Sequence, residues 1–217
     1  MPNLPISGLP AGSTLDGTEL FAIVQDGVTK YTTLNAINTS TTSNYGLYNQ
    51  TGSSTPITGV TASIETSGSL LDGGVGTLTV PANGFNIGDA FHARLSGKIT
   101  IANNHDLDIH FDSGATTLVD TGAITMAGST NKNWSLEVTF IIQNTGSAGT
   151  ASILSSGELT VRTDSSNDVV TEIFSSTNNT TFDTTINNTL SITGILDAAC
   201  GTSENIYSEL FVLHKIY

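Results

Sequence analysis

Trp134-Ser135-Leu136-Glu137-Val138-Thr139-Phe140-Ile141-Ile142-Gln143 decides the fold class. Leu136, Val138, Phe140 and Ile142 fall on one face behind Trp134. Successive side chains of an extended strand point to opposite sides, so this alternation predicts a half-buried strand over 134–143. The same period recurs upstream. Leu107, Ile109 and Phe111 share one face, and Asp106, Asp108 and His110 the other. Leu190, Ile192 and Gly194 repeat it downstream. Further strands are predicted at 59–65, 76–80, 90–101, 116–126, 150–163, 168–174, 181–186, 189–195 and 207–217. Gly and Asn clusters such as Gly73-Gly74, Asn103-Asn104 and Gly146 to Gly149 separate them. No amphipathic helical pattern interrupts the series. Many short strands punctuated in this way predict an all-β chain, an antiparallel jelly-roll β-sandwich.

The last strand reads Leu210-Phe211-Val212-Leu213-His214-Lys215-Ile216-Tyr217 and is apolar on both faces. That pattern predicts a strand in the middle of a sheet and beneath another layer. The segment ends there with little loop to cover it, which makes Phe211, Leu213, Lys215 and Tyr217 candidates for an oligomer interface.

The first 37 residues read differently. Phe21 to Val24 and Val28 to Thr33 are β-prone runs around Gln25-Asp26-Gly27. Asp-Gly between apolar runs signals a hairpin, because its tight turn needs residues tolerant of positive φ. Thr33 then caps a short helical turn through Leu34 and Ile37. An extended N-terminal arm with one small β-hairpin cannot bury its own apolar residues. The docking candidates on it are Leu15, Leu20, Phe21, Ile23, Val24, Asp26, Gly27 and Val28. Residues 38–58 are rich in Gly, Ser and Thr and predict a polar linker. Residues 59–217 form the predicted head domain.

Composition narrows the function. Charged residues make up 12% of the 217, about half the ~25% usual in soluble domains. The polar surface must then come from Ser, Thr, Asn and Gly. The net charge is −13, and the six Lys and Arg are scattered. No basic patch can neutralise phosphates, so nucleic-acid binding is disfavoured, as is an anionic membrane surface. No apolar run is long enough for a membrane-spanning helix, and Met1-Pro2-Asn3-Leu4 predicts no signal peptide. The single cysteine, Cys200, excludes an intrachain disulfide and reads as a small filler rather than a nucleophile.

Chemistry-bearing patterns are few. Asp106, Asp108 and His110 point one way along a strand at a spacing that can share a cation, but the expected reading is a polar face beside a turn. His92 and Arg94 share a face, and a trimer axis can gather three copies of either. Leu71 to Gly76 is Gly-rich but precedes a strand, which predicts a turn and not a phosphate cradle. Trp134 is a possible glycan contact, since aromatic faces stack on sugars, although its place before an alternating strand favours packing. No catalytic residue, cofactor or metal is expected, and the chain is read as a non-enzyme.

Two resemblances sharpen this reading. The order of small, Pro and Gly positions from Ile6 to Lys30 resembles the N-terminal segment of tailed-bacteriophage structural proteins, notably tail fibres. The segments Phe85 to Phe91, Leu95 to Ile99, Asn133 to Val138, Asp183 to Leu190 and Phe211 to Tyr217 resemble a viral jelly-roll module. The resemblance implies a virion structural protein, a short fibre, spike or capsid decoration assembled in the host cytoplasm. Its implied partners are itself, as a homotrimer, other virion proteins (capsid, tail or portal-associated), and host-surface glycan. The alternatives are a carbohydrate-binding or adhesin-like module and, less favoured, a polysaccharide-acting enzyme.

Overall fold

The computed structural model describes residues 20–33, 47–60, 64–164 and 168–216. Leu15, Leu34, Ile37 and Tyr217 lie outside the described residues, as do the side chains of Phe21 and Ile23. The chain divides into two compact units, Met1–Asn44 and Tyr45–Tyr217.

The described residues of the first unit form a hairpin. Strand β1 (Leu20–Gln25) pairs antiparallel with β2 (Val28–Thr33), and Gln25 opposes Val28. Asp26 (φ 56°) and Gly27 (φ 73°) form the two-residue turn. Both adopt positive φ, as the Asp-Gly pair predicts. Lys30 Nζ lies 3.5 Å from the Asp26 carboxylate across the turn.

The second unit is entirely β-structure among its described residues. Its strands are β3 (Leu47–Gln50), β4 (Ile57–Thr58), β5 (Thr66–Ser69), β6 (Gly74–Thr77), β7 (Thr79–Val80), β8 (Ala90–Ile101), β9 (Asp106–Ser113) and β10 (Thr116–Asp120). They continue with β11 (Ile124–Thr125), β12 (Ser129–Asn144), β13 (Ser152–Arg162), β14 (Val169–Asn178), β15 (Asn188–Leu196) and β16 (Asn205–Lys215). All pairings are antiparallel. The larger sheet runs β14-β13-β12-β8-β16-β3-β6, with β4 on β16. The smaller runs β10-β9-β15-β5, with β11 on β9 and β7 on β15. The core-facing rows meet in one apolar core. Leu107, Ile109 and Phe111 contribute from the small sheet, and Trp134, Leu136, Val138, Phe140 and Ile142 from the large one. The alternations read at 107–111 and 134–142 are therefore present. No helix among the described residues is long and apolar enough to cross a membrane.

Three expectations are corrected. Residues 47–58 are not linker: β3 and β4 pair with β16 at the sheet centre. Tyr48 is their anchor. Its ring packs 5.7 Å from that of Phe211, and its hydroxyl donates to the Asp72 carbonyl at 2.5 Å. Residues 181–186 form no strand. The Asn178 carboxamide oxygen accepts the amides of Thr180, Thr181 and Phe182, which winds the chain into a turn and seats Phe182 in the core. Residues 59 and 60, 64 and 65 are not strand either; Gly59 instead packs against the 200–201 backbone, where a Cβ would stand 2.7 Å from two carbonyl oxygens.

The last strand is buried on one face, not two. Its pairing with β8 slips between Ser208 and Leu210. This bulge, in which Glu209 is the extra residue, reverses the phase. Ile206 and Ser208 face inward before it, Phe211 and Leu213 after it, and Leu210 turns out to solvent. The Ser208 groups beside the bulge are paired. Ser54 exchanges two hydrogen bonds with the Ser208 backbone, and the Ser208 hydroxyl donates to the Leu70 carbonyl.

Candidate interaction surfaces

The hairpin presents its apolar residues to solvent. Leu20 is 71% exposed and Val24 75%; Val28 and Tyr31 are also exposed. Two strands have no opposing layer in which to bury such side chains. Of the predicted docking residues, Leu20, Val24, Asp26, Gly27 and Val28 stand on this element, and all are exposed.

The expected oligomer contacts stand elsewhere. Phe211 and Leu213 lie in the core, beneath the small sheet, and offer no surface to a partner. Lys215 holds Asp89 with Nζ 2.7 Å from Oδ1, and Asp89 also accepts the Asn86 amide. That ion pair fastens the end of β16 to the start of β8.

Trp134 is 2% exposed, so its faces are closed to a sugar. It opposes Gly97 on β8. With no side chain at Gly97, the indole reaches across β8, and Nε1 donates to the carbonyls of Lys98 (3.2 Å) and Tyr207 (3.1 Å). A Cβ at Gly97 would stand 2.0 Å from the Tyr207 oxygen. The Trp is a rivet between three strands.

The outer face of the large sheet carries two features. Small side chains align across it: Thr160 opposes Ser135, and Ser135 opposes Ser96. This row floors a shallow groove of about 360 Å³, bordered by Asn133, Arg162 and Glu209 and lined also by Gly97 and Trp134. Beside it His92 and Arg94 do share a face. Arg94 Nε lies 3.2 Å from Glu137, and the His92 ring lies edge-on to His214 at 5.1 Å. Between the sheets, a pocket of about 50 Å³ is lined by Phe85, Phe91, Phe140 and Phe182. It is smaller than the ~150 Å³ cavity that holds one benzene, and too apolar for a sugar ring.

Two polar clusters lie at turns. His110 Nε2 is 3.0 Å from Asp108 and 3.4 Å from Asp120. Asp120 comes from the paired strand β10 and takes the place that the sequence reading assigned to Asp106. The second cluster joins His105, Cys200 and Glu204 and was not foreseen, because its members come from segments about a hundred residues apart. His105 Nδ1 lies 2.8 Å from Glu204 Oε1. Burial works against the Glu204 charge, but the amides of Ala102 and Gly201, with His105, outweigh it and hold the carboxyl below its usual range. Cys200 is buried and unpaired as a disulfide. Burial, with the neighbouring Asp197 and Glu204 carboxylates, pushes its thiol up to about 12. An exposed low-pKa thiolate is what a nucleophile requires, and Cys200 is the opposite.

Compared with known protein families, with curated proteins and with solved structures, the chain has no match in any of the three.

Proposed function

We propose that this chain is a virion structural protein, of the kind found as short fibres, spikes or decorations on tailed bacteriophages. The exposed apolar hairpin carries the reading. Such an element persists in a folded protein when a partner covers it, and its Leu20, Val24 and Val28 side chains suit docking on another virion protein of the capsid, tail or portal region. The head supports the same reading. Its main strands in chain order, β3, β5, β8, β9, β10, β12, β15 and β16, interleave between the sheets as β3-β16-β8-β12 and β5-β15-β9-β10. This interleaving of early and late strands supports reading the sandwich as a jelly roll. β13 and β14 extend the larger sheet beyond that plan. The head trimerises and projects outward from the virion, and the small, polar side chains of its outer groove meet host-surface glycan.

Native mass by light scattering tests the assembly on the full-length chain and on a Val24→Asp, Val28→Asp variant. A mass of three times 22.5 kDa in both is expected, with trimerisation in the head. A monomer in both overturns the fibre-head reading. The outer groove favours a second reading, a carbohydrate-binding or adhesin-like module. Glycan binding by a chain found in no virus particle, as judged by mass spectrometry of purified particles, would favour that alternative.

A further inference from the structure

The turn between β8 and β9 and the loop between β15 and β16 bring together three side chains of different donor chemistry. One His105 ring nitrogen, Cys200 Sγ and one Glu204 carboxylate oxygen all lie within 4.8 Å of one another. Cys200 and Glu204 are buried and His105 half-buried. We propose that His105, Cys200 and Glu204 bind a single thiophilic divalent cation of the zinc class.

A nitrogen, sulfur and oxygen donor set at one buried point suits borderline-soft zinc and not calcium or magnesium, which take oxygen ligands. Charge points the same way. Asp197 Oδ1 accepts the amides of Ala199 and Cys200, and Asp197 Oδ2 accepts that of Asp106. Asp106 in turn has a buried Oδ1 with no hydrogen-bond partner. Among the described ion pairs, none brings a Lys or Arg to Asp106, Asp197 or Glu204. The Asp197 and Glu204 carboxylates thus stand beside Cys200 with one imidazole, a surplus of negative charge that favours a bound cation.

Binding balances simply. The S–H bond breaks, a sulfur–metal bond forms, and one proton leaves to solvent. Nδ1 donates to the Glu204 carboxylate before binding, so its proton passes through solvent to Nε2 as the cation enters, which frees Nδ1 as a ligand. Thiolate and Glu204 together neutralise the two positive charges. The cation replaces the His105–Glu204 hydrogen bond, while the Ala102 and Gly201 amides (2.7 and 2.6 Å) keep the carboxylate aimed. The loop is already braced. Cys200 N donates to the Asp197 carbonyl, Glu204 N to that of Gly201, and Gly59 N to that of Glu204. A bound ion therefore pins the β8–β9 turn to the β15–β16 loop, joining both sheets at one end.

The test uses the reduced full-length chain stripped with a chelator. Cobalt(II) should produce a near-ultraviolet thiolate-to-metal band saturating at one ion per chain. Zinc should displace it and raise the unfolding temperature. Cys200→Ser should lose the band. His105→Gln, at a half-exposed site, should weaken zinc binding by about tenfold or more while circular dichroism stays unchanged. His110→Asn should bind as the wild type does. Absence of a cobalt band together with a zinc-independent unfolding temperature overturns the proposal. So does binding that survives Cys200→Ser and His105→Gln but fails in His110→Asn, which would move the ion to the Asp108, His110 and Asp120 cluster.

Discussion

Trp134 and Gly97 act as one unit. The indole crosses β8 only because Gly97 leaves the space, and its N–H reaches a Tyr207 carbonyl beside the β16 bulge. Trp134→Phe keeps most of the apolar volume but removes the donor from two part-buried acceptors. The expected loss is about 1–3 kcal/mol, read from the urea midpoint. Binding of any glycan should be unchanged, since the ring is enclosed. Asp164 offers a pH-dependent case. Its carboxylate accepts the Thr130 hydroxyl (2.7 Å) and amide (3.0 Å), with Lys132 at 3.3 Å. The Thr130 hydroxyl first, then its amide, hold the Asp164 carboxyl below its ordinary 3.8. A depressed folded pKa gives stability that is present above the unfolded value and lost as pH falls through the folded one. The midpoint difference between wild type and Asp164→Asn should therefore be constant above about pH 5 and shrink below 3.8. A difference that is unchanged down to acid unfolding would show that the carboxylate contributes nothing as a charge.

Among the elements, β14 is the one most open to partners. It ends the large sheet, is 10 residues long, and carries one charged residue, Glu172. Edge strands of that length template association unless charge or a bulge blocks it. Ile173 is 75% exposed on it, whereas the partly buried Phe174 packs over Gly157 on β13. Ile173→Lys should change stability by no more than about 0.5 kcal/mol and reduce concentration-dependent association, seen by light scattering. A large destabilisation would mean that Ile173 is packed rather than free. The element scale also shows where sequence reading falters. β16 is apolar on both sides in sequence, and pattern alone cannot say which side faces in. Glu209 decides it as the extra residue of the bulge, and the bulge holds because Ser54 and Leu70 take up its hydrogen bonds.

For the whole molecule, the separation into two units has a mechanical consequence. The second unit buries a continuous core of its own. The charged hairpin variant Val24→Asp, Val28→Asp should thus unfold at the wild-type temperature in calorimetry, while losing the exposed apolar surface proposed for docking. A lowered unfolding temperature would mean that the head depends on the arm. The net charge of −13 acts at this scale too: it keeps copies apart at long range, so association should strengthen as salt screens it.

The fold class was legible because alternation is a local property. Leu107, Ile109 and Phe111, or Leu136 to Ile142, declare their faces within eight residues, and Asp26-Gly27 declares its turn in two. Local patterning therefore determined the all-β character, the hairpin and most strand positions. It did not determine the membership of β3 and β4 in the sheet, whose polar Ser- and Thr-rich surroundings resemble a linker until Tyr48 meets Phe211. Nor did it determine the phase of β16, the burial of Trp134, or the meeting of His105 with Cys200 and Glu204. Each of these depends on residues distant in the chain, and only the tertiary structure sets which carbonyl, ring or carboxylate stands opposite. Backbone alternation is written in neighbours; hydrogen-bond and metal-ligand partners are chosen by the packing of the two sheets.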